Sequence, residues 1–524
     1  PYGAAVVSHP LVVLAPMGME ARAVRARAHP EVEVRRTGIG RRRAERAART
    51  TAAGPHAAGI AIAGIAGGLA PSARPGDVVV ASELVDGDGR TARPLPAAPL
   101  VAAALRRDGL TVHVGPVVSA ERPVVGAARE QLARRSRALA VDMESAWLAA
   151  AAGDLPLAVV RTVADTGSHP LVHPETLRHT RRALASLRAV TPALERWAHA
   201  CTRAPRTLLV AGPRSFCAGV ERAIETVERA LDRFGAPIYV RRQIVHNTHV
   251  VDDLEARGAV FVEELDEVPP GATVVFAAHG VAPAVHEQAR ARALQVIDAT
   301  CPLVTKVHHE ARRFAAKGYD IVLLGHAEHE EIVGTRAEAP AAIHVVGEPD
   351  EVDALPIAPG RPVAYLTQTT LAVDETTALV DRLRERHPEL VGPAADDICY
   401  ATQNRQEAIA AVARECDVVL VVGSRNSSNS NRLVEVASRS GARAHLVEDE
   451  HEVDPGWLAG ASTVGLTAGA SAPEILVERV VDAIAGLGPV RVEQRTVTSE
   501  SVQFTLPPEV RSAGKAESGK QEVR

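Results

Sequence analysis

Asp298-Ala299-Thr300-Cys301-Pro302 is the stretch that decides the fold of the larger part of this chain, because it has two counterparts. One is Phe216-Cys217-Ala218-Gly219 and the other is Ile398-Cys399-Tyr400-Ala401. In all three, a cysteine stands at a turn before a helix-like segment, and the cysteines are 84 and 98 residues apart. Self-similarity at a nearly constant distance is the sequence signature of repeated structural units.

Two further sets of polar residues advance along the chain by nearly the same steps. One set stands at predicted strand ends and the other at turns: His279, Thr369 and Ser471, and His246, His329 and Asn429. Ligands of open α/β sheets bind beyond the carboxyl ends of strands, where these side chains are expected to lie. We therefore predict three similar α/β subdomains around a pseudo-threefold axis, which each give one cysteine and two polar residues to a common centre.

Apolar runs alternate with Ala-, Arg- and Glu-rich stretches over nearly the whole chain. This alternation predicts an α/β fold with mainly parallel sheets. A break lies near residues 198–206, so we expect an α/β domain over 1–200 fused to the trilobed α/β domain over 206–490. A C-terminal tail over 491–524 follows, and its polar part from Leu506 on is expected to be disordered.

Three converging thiolates suit a metal ion or an iron–sulfur cluster, because soft sulfur ligands select zinc, copper or iron–sulfur. Three cysteines leave one coordination position open, as a catalytic centre requires. The long spacings exclude zinc-finger patterns, which need close pairs, but a zinc ion stays the alternative to a cluster. Cys416 is interpreted as a core residue and Cys201 as part of the linker, and neither is given a role.

Several side chains near predicted helix N-termini offer hydrogen-bond donors to an anion: His246, His279, Ser427, Asn429 and Ser471. Backbone N–H groups and the helix dipole favour a phosphate there. Serine and asparagine are also the usual residues of N-caps and turns, which is the alternative for stretch 423–431, before a helix expected from Leu433 on. Glu331, two residues after His329, is the candidate proton donor; its alternative is a solvated carboxylate at a helix start.

Residues 208–486 resemble the 4-hydroxy-3-methylbut-2-enyl diphosphate reductase family, which acts last in the methylerythritol phosphate route to isoprenoids. The resemblance rests on eight stretches that occur in order: Phe216–Val220, Val245–Asn247, Ala278–Val281, Asp298–His308, Thr367–Leu371, Asp396–Thr402, Asn426–Asn431 and Thr467–Pro473. It implies reductive dehydroxylation of the substrate to isopentenyl and dimethylallyl diphosphate. It also implies two electrons from a ferredoxin- or flavodoxin-type partner.

The same resemblance implies roles for individual residues. Three would hold a [4Fe-4S] cluster with an open iron for the substrate hydroxyl: Cys217, Cys301 and Cys399. Three would serve that hydroxyl: Glu331, His329 and Thr369. Five would bind the diphosphate: His246, His279, Ser427, Asn429 and Ser471. Two more would bind the substrate: Thr370 and Ser428. In one departure from the family pattern, Glu330 stands where proline is usual and adds a charge next to the proton donor.

The first 200 residues carry different features. Residues 60–63 predict a strand that enters a glycine-rich turn at 64–69, suited to the close approach of a ligand. Met143 and Glu144 precede an alanine-rich helical stretch, and Asp165 ends a predicted strand. The alternative roles of Glu144 and Asp165 are a helix-start acid and a strand-end cap.

Residues 11–194 resemble the superfamily of nucleoside phosphorylases and methylthioadenosine/adenosylhomocysteine nucleosidases. The resemblance implies that Met143 and Glu144 contact the ribose and that Asp165 protonates the purine leaving group. It places Glu20 near the attacking nucleophile. A more particular resemblance is to the hopanoid-associated phosphorylase, which acts on an adenosyl-lipid. The implied substrate is an adenosyl nucleoside.

Two questions about this first domain stay open at the level of sequence. Either phosphate or water could attack the nucleoside, and Arg22 or Arg36 could bind a phosphate. The alternative function of the domain is a non-catalytic nucleoside sensor or docking module.

Composition excludes several classes of protein. Of 524 residues, 46% are hydrophobic and 23% charged, which is ordinary for a globular protein and excludes disorder as the main state. The net charge of -5 and only 3% aromatic residues argue against a nucleic-acid binder. No apolar run approaches the length of a membrane span and no signal peptide is evident. Five cysteines form no disulfide scaffold, so we expect a cytoplasmic protein.

Overall fold

A computed structural model describes residues 11–51, 57–87, 89–166, 175–358 and 360–511 of the chain. Strands and helices alternate throughout these ranges, which confirms the predicted α/β fold. Among the described residues, no helix combines the length and the apolar character needed to cross a membrane.

The strands of the N-terminal domain form one mixed sheet: β1 (Leu11–Ala15), β2 (Glu33–Arg36), β3 (Gly59–Gly68), β4 (Val78–Val85), β5 (Thr91–Pro94), β6 (Val112–Ser119), β7 (Ala140–Asp142) and β8 (Leu157–Asp165). The pairing closes into a ring, because β8 joins both β3 and β4, while β6 and β7 complete the path between them. β1 and β8 are buried along their whole length, as expected for strands covered on both faces.

Seven helices pack around this ring in the described part of the domain: α1 (Gly18–Arg25), α2 (Arg41–Thr50), α3 (Ala98–Arg107), α4 (Ala127–Ser136), α5 (Ser145–Leu148), α6 (Thr176–Ala189) and α7 (Thr191–Ala200). α1 and α5 begin just after the carboxyl ends of β1 and β7, and each of these helix starts holds one of the predicted site residues. Glu20 lies in the first turn of α1, and Glu144 immediately precedes α5.

The predicted glycine-rich turn at residues 64–69 is wrong, because β3 continues through Gly68. The glycines serve a different purpose inside the strand. A side chain at Gly64 would overlap Arg161 and Glu20, and one at Gly67 would overlap Arg129. The strand therefore uses glycine to let buried charged side chains approach its backbone.

Within its described residues, the second domain contains three sheets, and their paired strands run parallel: β9 (Arg206–Gly212), β10 (Ile238–Arg241), β11 (Ala259–Val262), β12 (Thr273–Phe276), β13 (Gln295–Asp298), β14 (Asp320–Leu324), β15 (Ile343–Val346), β16 (Val363–Thr367), β17 (Val418–Val422), β18 (Arg443–Val447), β19 (Thr463–Ala468) and β20 (Val490–Thr496).

These sheets share one strand order. Each contains three successive strands with the first in the middle: β11-β10-β12, β15-β14-β16 and β18-β17-β19. The two repeated sets of polar residues follow corresponding strands. His279, Thr369 and Ser471 follow the third strand of each unit, whereas His246, His329 and Asn429 follow the first. The shared order supports the predicted repeat, and the pseudo-threefold axis stays a prediction.

Helices connect the strands of the second domain: α8 (Ala218–Phe234), α9 (Thr248–Ala256), α10 (Pro283–Ala291), α11 (Pro302–Ala316), α12 (Glu330–Arg336), α13 (Pro349–Asp353), α14 (Val373–Arg386), α15 (Tyr400–Ala413), α16 (Ser428–Arg439) and α17 (Glu474–Ala485). α16 begins at Ser428 rather than at Leu433, because the Ser427 side chain caps it by accepting a hydrogen bond from the Ser430 N–H.

The chain beyond residue 490 is more ordered than expected. β20 pairs with β9 in the third sheet, so the expected tail begins as a strand. The predicted disorder from Leu506 on is wrong as far as Arg511, because Val510 is buried in the apolar cluster around α8 and β10, and Leu506 packs against that cluster. Residues 512–524, on which the rest of that prediction falls, lie outside the described residues.

The two domains share a core at their junction. One buried apolar cluster contains Val13 and Trp197 of the first domain together with Leu208 and Leu466 of the second. Arg206, at the start of β9, is buried and donates hydrogen bonds to backbone carbonyls on both sides of the junction. Because buried apolar contacts and satisfied polar groups both cross the junction, the first domain packs directly on the second.

Candidate active sites

All of the residues predicted for the second domain line one cavity of about 110 Å³, where the sheets and helix starts meet: Cys217, His246, His279, Cys301, His329, Glu331, Thr369, Thr370, Cys399, Ser427, Ser428, Asn429 and Ser471. They come from turns spread over more than 250 residues of sequence. The fold therefore brings together every member of the predicted set.

Each cysteine in the cavity is the N-cap of a long helix: Cys217 of α8, Cys301 of α11 and Cys399 of α15. Burial, with the charges of its two neighbours, raises the pKa of Cys301 to about 12, and burial with the charge of Cys217 raises that of Cys399 to about 11. Three thiolates here need a cation to neutralise them, in addition to the helix dipoles. The donor set thus fits a metal centre with sulfur ligands.

Within the described ranges, no three His, Cys, Asp or Glu side chains meet closely enough to hold a single metal ion. Cys399 is further oriented by Thr402, whose hydroxyl lies 3.0 Å from the sulfur and whose N–H lies 3.3 Å from it.

A buried arginine ties two of the cysteine turns together. Arg405 is fully buried and donates hydrogen bonds to the carbonyl oxygens of Ser215 at 2.8 Å and Ala401 at 2.9 Å. These carbonyls lie next to the turns of Cys217 and Cys399. Glu500, in the segment after β20, pairs with Arg405 at 2.9 Å. Sequence reasoning missed this pair because the two residues are 95 positions apart.

Glu331 and Thr369 form a closely bonded pair at the cavity wall. The Thr369 N–H and hydroxyl donate to the two Glu331 carboxylate oxygens at 2.7 and 2.9 Å. Burial raises the pKa of Glu331 to about 7, even though these hydrogen bonds oppose the shift. A carboxyl group with a pKa near neutrality is suited to donate a proton.

Three histidines meet on another side of the cavity. The rings of His246 and His279 stack with centroids 4.1 Å apart, and His329 stands edge-on to both. Burial and the charge of His279 lower the pKa of His246 to about 3 and that of His329 to about 4. His329 accepts a hydrogen bond at Nδ1 from the Glu331 N–H, so its neutral ring carries its proton on Nε2.

Serine and asparagine side chains complete the cavity. Ser471 donates to the carbonyl of His246 at 3.0 Å, and Asn429 accepts from the Ala470 N–H at 3.0 Å. Ser430, which sequence reasoning did not single out, lies behind them and donates to Ser427 at 3.0 Å. A side chain at Gly423 would overlap Ser430, so glycine allows this close packing.

A second cavity of about 350 Å³ lies in the N-terminal domain, and all four residues predicted for that domain line it: Glu20, Met143, Glu144 and Asp165. Neither of the arginines suggested as phosphate ligands, Arg22 and Arg36, is among its lining residues. Part of the chain after Asp165, residues 167–174, lies outside the described residues.

Glu20 is held at the base of this cavity by two backbone groups. The N–H of Met17 donates to one carboxylate oxygen at 2.6 Å and the N–H of Ile65 to the other at 2.8 Å. Burial raises the pKa of Glu20 to about 7, although the charge of Arg161 opposes the shift. Such a carboxylate is suited to accept a proton near neutral pH.

The buried guanidinium of Arg161 lies beside the acidic residues of this cavity. The sequence alone did not suggest a role for it. The side chain is fully buried and lies 2.8 Å from Asp142 and 3.8 Å from Glu144. It also donates to Ser145 at 2.8 Å. Burial raises the pKa of Glu144 despite the charge of Arg161. The network fixes the orientation of the acidic residues.

Asp165 does not stand free in its cavity. Arg129, on α4, lies 2.6 Å from one Asp165 carboxylate oxygen, and both side chains are buried. Arg129 also donates to the Asp165 carbonyl at 3.3 Å. Gly67 has no side chain and so leaves room for Arg129. The sequence does not reveal this contact, because β3 and α4 are separated along the chain.

Two protein-family models match this chain, one in each domain. Residues 208–485, over half of the chain, match the model of the LytB protein family, and the chain belongs to that family. Residues 14–195 match the model of the phosphorylase superfamily. Both matches confirm the resemblances found in the sequence.

Individual relatives support the first assignment. The 4-hydroxy-3-methylbut-2-enyl diphosphate reductase of Cutibacterium acnes is 57% identical over 313 residues, which cover 60% of this chain and 96% of the relative. The enzyme of the same name from Nocardia farcinica is 59% identical over 308 residues, or 59% of this chain and 92% of the relative. The structure of the Plasmodium falciparum reductase is 37% identical with a TM-score of 0.57, and covers 59% of this chain and 97% of that one.

Proposed function

We propose that the second domain is a 4-hydroxy-3-methylbut-2-enyl diphosphate reductase and that the first cleaves the glycosidic bond of an adenosyl compound. The observation that carries the first proposal is the single cavity in which three cysteines face the Glu331–Thr369 pair and the histidine and serine cluster. The reaction adds two electrons and two protons to the substrate, breaks its terminal C–O bond and releases water.

The residues that would hold a [4Fe-4S] cluster are Cys217, Cys301 and Cys399. When bound, the cluster would pass on the electrons of an external donor and would act as a Lewis acid toward the substrate hydroxyl. We propose a ferredoxin- or flavodoxin-type protein as the donor of these electrons. We expect a cytoplasmic location, because thiolates that hold a cluster persist in a reducing compartment.

The side chains around the cluster site would hold the substrate at both ends. The histidines, Ser427, Asn429 and Ser471 offer donors to the diphosphate beside the N-terminus of α16. At the other end, Thr369 holds Glu331 near the hydroxyl group, which is a poor leaving group unless protonated. Glu331 delivers that proton, because its pKa of about 7 leaves much of it protonated at neutral pH.

In the first domain, Glu20 would activate the nucleophile, Glu144 would bind the ribose and Asp165 would protonate the purine. The nucleophile is either water or phosphate. The backbone N–H groups of Met17 and Ile65 are occupied by the Glu20 carboxylate and Arg129 is paired with Asp165, but Arg122 also lines the cavity. The pairing of Asp165 also favours the second candidate, a nucleoside sensor that does not cleave its ligand.

Two experiments test these proposals. Anaerobic purification followed by iron and sulfide analysis, with absorbance near 400 nm, distinguishes a cluster from a zinc ion. The purified protein is then given 4-hydroxy-3-methylbut-2-enyl diphosphate and a chemical reductant. Incubation with methylthioadenosine and adenosylhomocysteine, with and without phosphate, tests the first domain. Free adenine without phosphate indicates hydrolysis, whereas binding without cleavage supports the sensor.

A further inference from the structure

Three long basic side chains stand at equivalent positions behind the three cysteines. They follow the cysteines by five, five and six residues and lie on the helices that those cysteines cap: Arg222 on α8, Lys306 on α11 and Arg405 on α15. Each is therefore in the second turn of its helix. Because helical side chains lean toward the N-terminus of their helix, each extends back toward the level of the cysteine turns.

Arg222 reaches the turn of the second cysteine. Its Nη1 donates hydrogen bonds to the carbonyl oxygens of Ala299 at 2.9 Å and Thr300 at 3.0 Å, the two residues before Cys301. Its Nε donates to the carbonyl oxygen of Thr505 at 2.8 Å, in the segment after β20. The helix α8 is thus bonded to the turn of the second cysteine.

Lys306 makes the corresponding link to the turn of the third cysteine. Its Nζ donates to the carbonyl oxygens of Ala395 at 2.6 Å and Asp396 at 3.1 Å, and pairs with the carboxylate of Asp397 at 3.0 Å. The buried Asp397 side chain also accepts a hydrogen bond from the Thr367 N–H at 3.2 Å, at the end of β16. The helix α11 is thus bonded to the segment that leads into the third cysteine.

Arg405 completes the set, because it donates to the carbonyl oxygen of Ser215, two residues before Cys217, at 2.8 Å. The three links follow one order along the chain. α8 is bonded to the turn of Cys301, α11 to that of Cys399 and α15 to that of Cys217. They therefore close a ring in which each cysteine-capped helix is bonded to the turn of the next cysteine. Hydrogen bonds from charged donors are stronger than those from neutral ones, which suits them to fix these turns.

We propose that Arg222, Lys306 and Arg405 are positioning residues that fix the three cysteine turns relative to one another, so that the three sulfurs can bind one shared iron–sulfur cluster. The three side chains are not among the residues that line the cavity, so they act through the turns and not by contact with substrate. Removal of groups that orient metal ligands commonly weakens metal binding by about 10- to 100-fold. The inference rests on the cluster proposed above.

The test measures iron in the full-length protein after anaerobic purification. It then measures the rate at which ferrozine removes that iron, followed as loss of the cluster absorbance near 400 nm. Arg222→Met and Lys306→Met each remove one link, and we expect either variant to lose its iron about ten-fold faster than the wild type. The controls are exposed arginines on the same helices, Arg229→Met and Arg313→Met, which should lose iron at the wild-type rate.

Two further variants separate positioning from a general effect on stability. In Arg222→Lys, one ammonium group can still bond both carbonyl oxygens, because a single nitrogen of Arg222 reaches both. This variant should recover most of the iron retention that Arg222→Met loses. Phe314→Leu shrinks a buried side chain near the far end of α11, among residues of β14 and β16. It should lower the urea concentration at the midpoint of unfolding, yet release iron at the wild-type rate.

The outcomes separate this inference from the function beneath it. Iron release at the wild-type rate in either Arg222→Met or Lys306→Met would overturn the ring. Equally fast release in Phe314→Leu, or no recovery in Arg222→Lys, would show that the links only stabilise the fold and would also overturn it. If the wild-type protein itself holds no iron and sulfide after anaerobic purification, then the proposed cluster is wrong as well.

Discussion

The Arg129 guanidinium lies 2.6 Å from the carboxylate of Asp165, and both side chains are buried in the wall of the nucleoside cavity. Because Asp165 is the proposed proton donor to the leaving purine, Arg129 contacts the group on which cleavage would depend. This relationship makes the activity of the first domain testable in two ways.

Asp165→Asn should lower any cleavage of adenosyl compounds by about 10²-fold or more, since an amide cannot protonate the leaving purine. Reductase activity should be unaffected, because the second domain has its own cavity. Release of adenine is measured for the variant and for Asp154→Asn, an exposed control in the same domain. Full activity in Asp165→Asn would remove this residue as the acid.

Arg129→Gln should lower any cleavage of adenosyl compounds by about 10²-fold, because the Asp165 carboxylate loses the buried partner that orients it. We also expect a loss of about 3–5 kcal/mol in the free energy of unfolding, the usual effect of breaking a buried pair. The rate of adenine release is compared with that of Arg134→Gln, an exposed position on the same helix. Lower stability with an unchanged rate of cleavage would mean that the pair is only structural.

Much of the fold and of the reductase site could be predicted from the sequence. Local patterns mark strand ends and helix starts, so the three cysteines and the repeated polar residues were predicted at turns, and the fold brings them into one cavity. The strand before Asp165 was likewise predicted from its apolar run.

The rest depends on contacts between distant segments. The glycines of 64–69 suggest a turn by composition, yet they lie in a strand because Arg161 and Arg129 approach it from other elements. The Arg405–Glu500 pair joins residues that are far apart in sequence and carry no common motif. Such contacts become visible only when the elements are placed together.

Cys301→Ser should abolish cluster binding and reductase activity, whereas Cys416→Ser should affect neither. Cys416 is the matched control, because it packs against the apolar cluster around α15 and β17 and does not line the cavity. Iron and sulfide are measured after anaerobic purification of both variants. An equal loss in the two would contradict the assignment of the three cluster cysteines.

Arg405→Lys should lower the iron content of the purified protein, because the donors of an ammonium group leave from one nitrogen and cannot span the positions that two guanidinium nitrogens of Arg405 reach. Unsatisfied buried carbonyls should cost about 1–3 kcal/mol in the free energy of unfolding. Arg414→Lys, at the exposed end of the same helix, serves as the control. If Arg405→Lys keeps a full complement of iron, this arginine does not position the cysteine turns.

In the proposed reaction of the second domain, Glu331 is the proton donor beside the cysteine-bound centre. This role is tested by anaerobic turnover of 4-hydroxy-3-methylbut-2-enyl diphosphate by the wild type and by Glu331→Gln, measured against pH. Wild-type turnover should fall as pH rises above about 7, where Glu331 loses its proton. Glu331→Gln should keep its cluster and bind substrate, but turn over about 10²-fold more slowly with no fall at that pH. Near-normal turnover in Glu331→Gln, or the same pH dependence as the wild type, would show that Glu331 is not the proton donor.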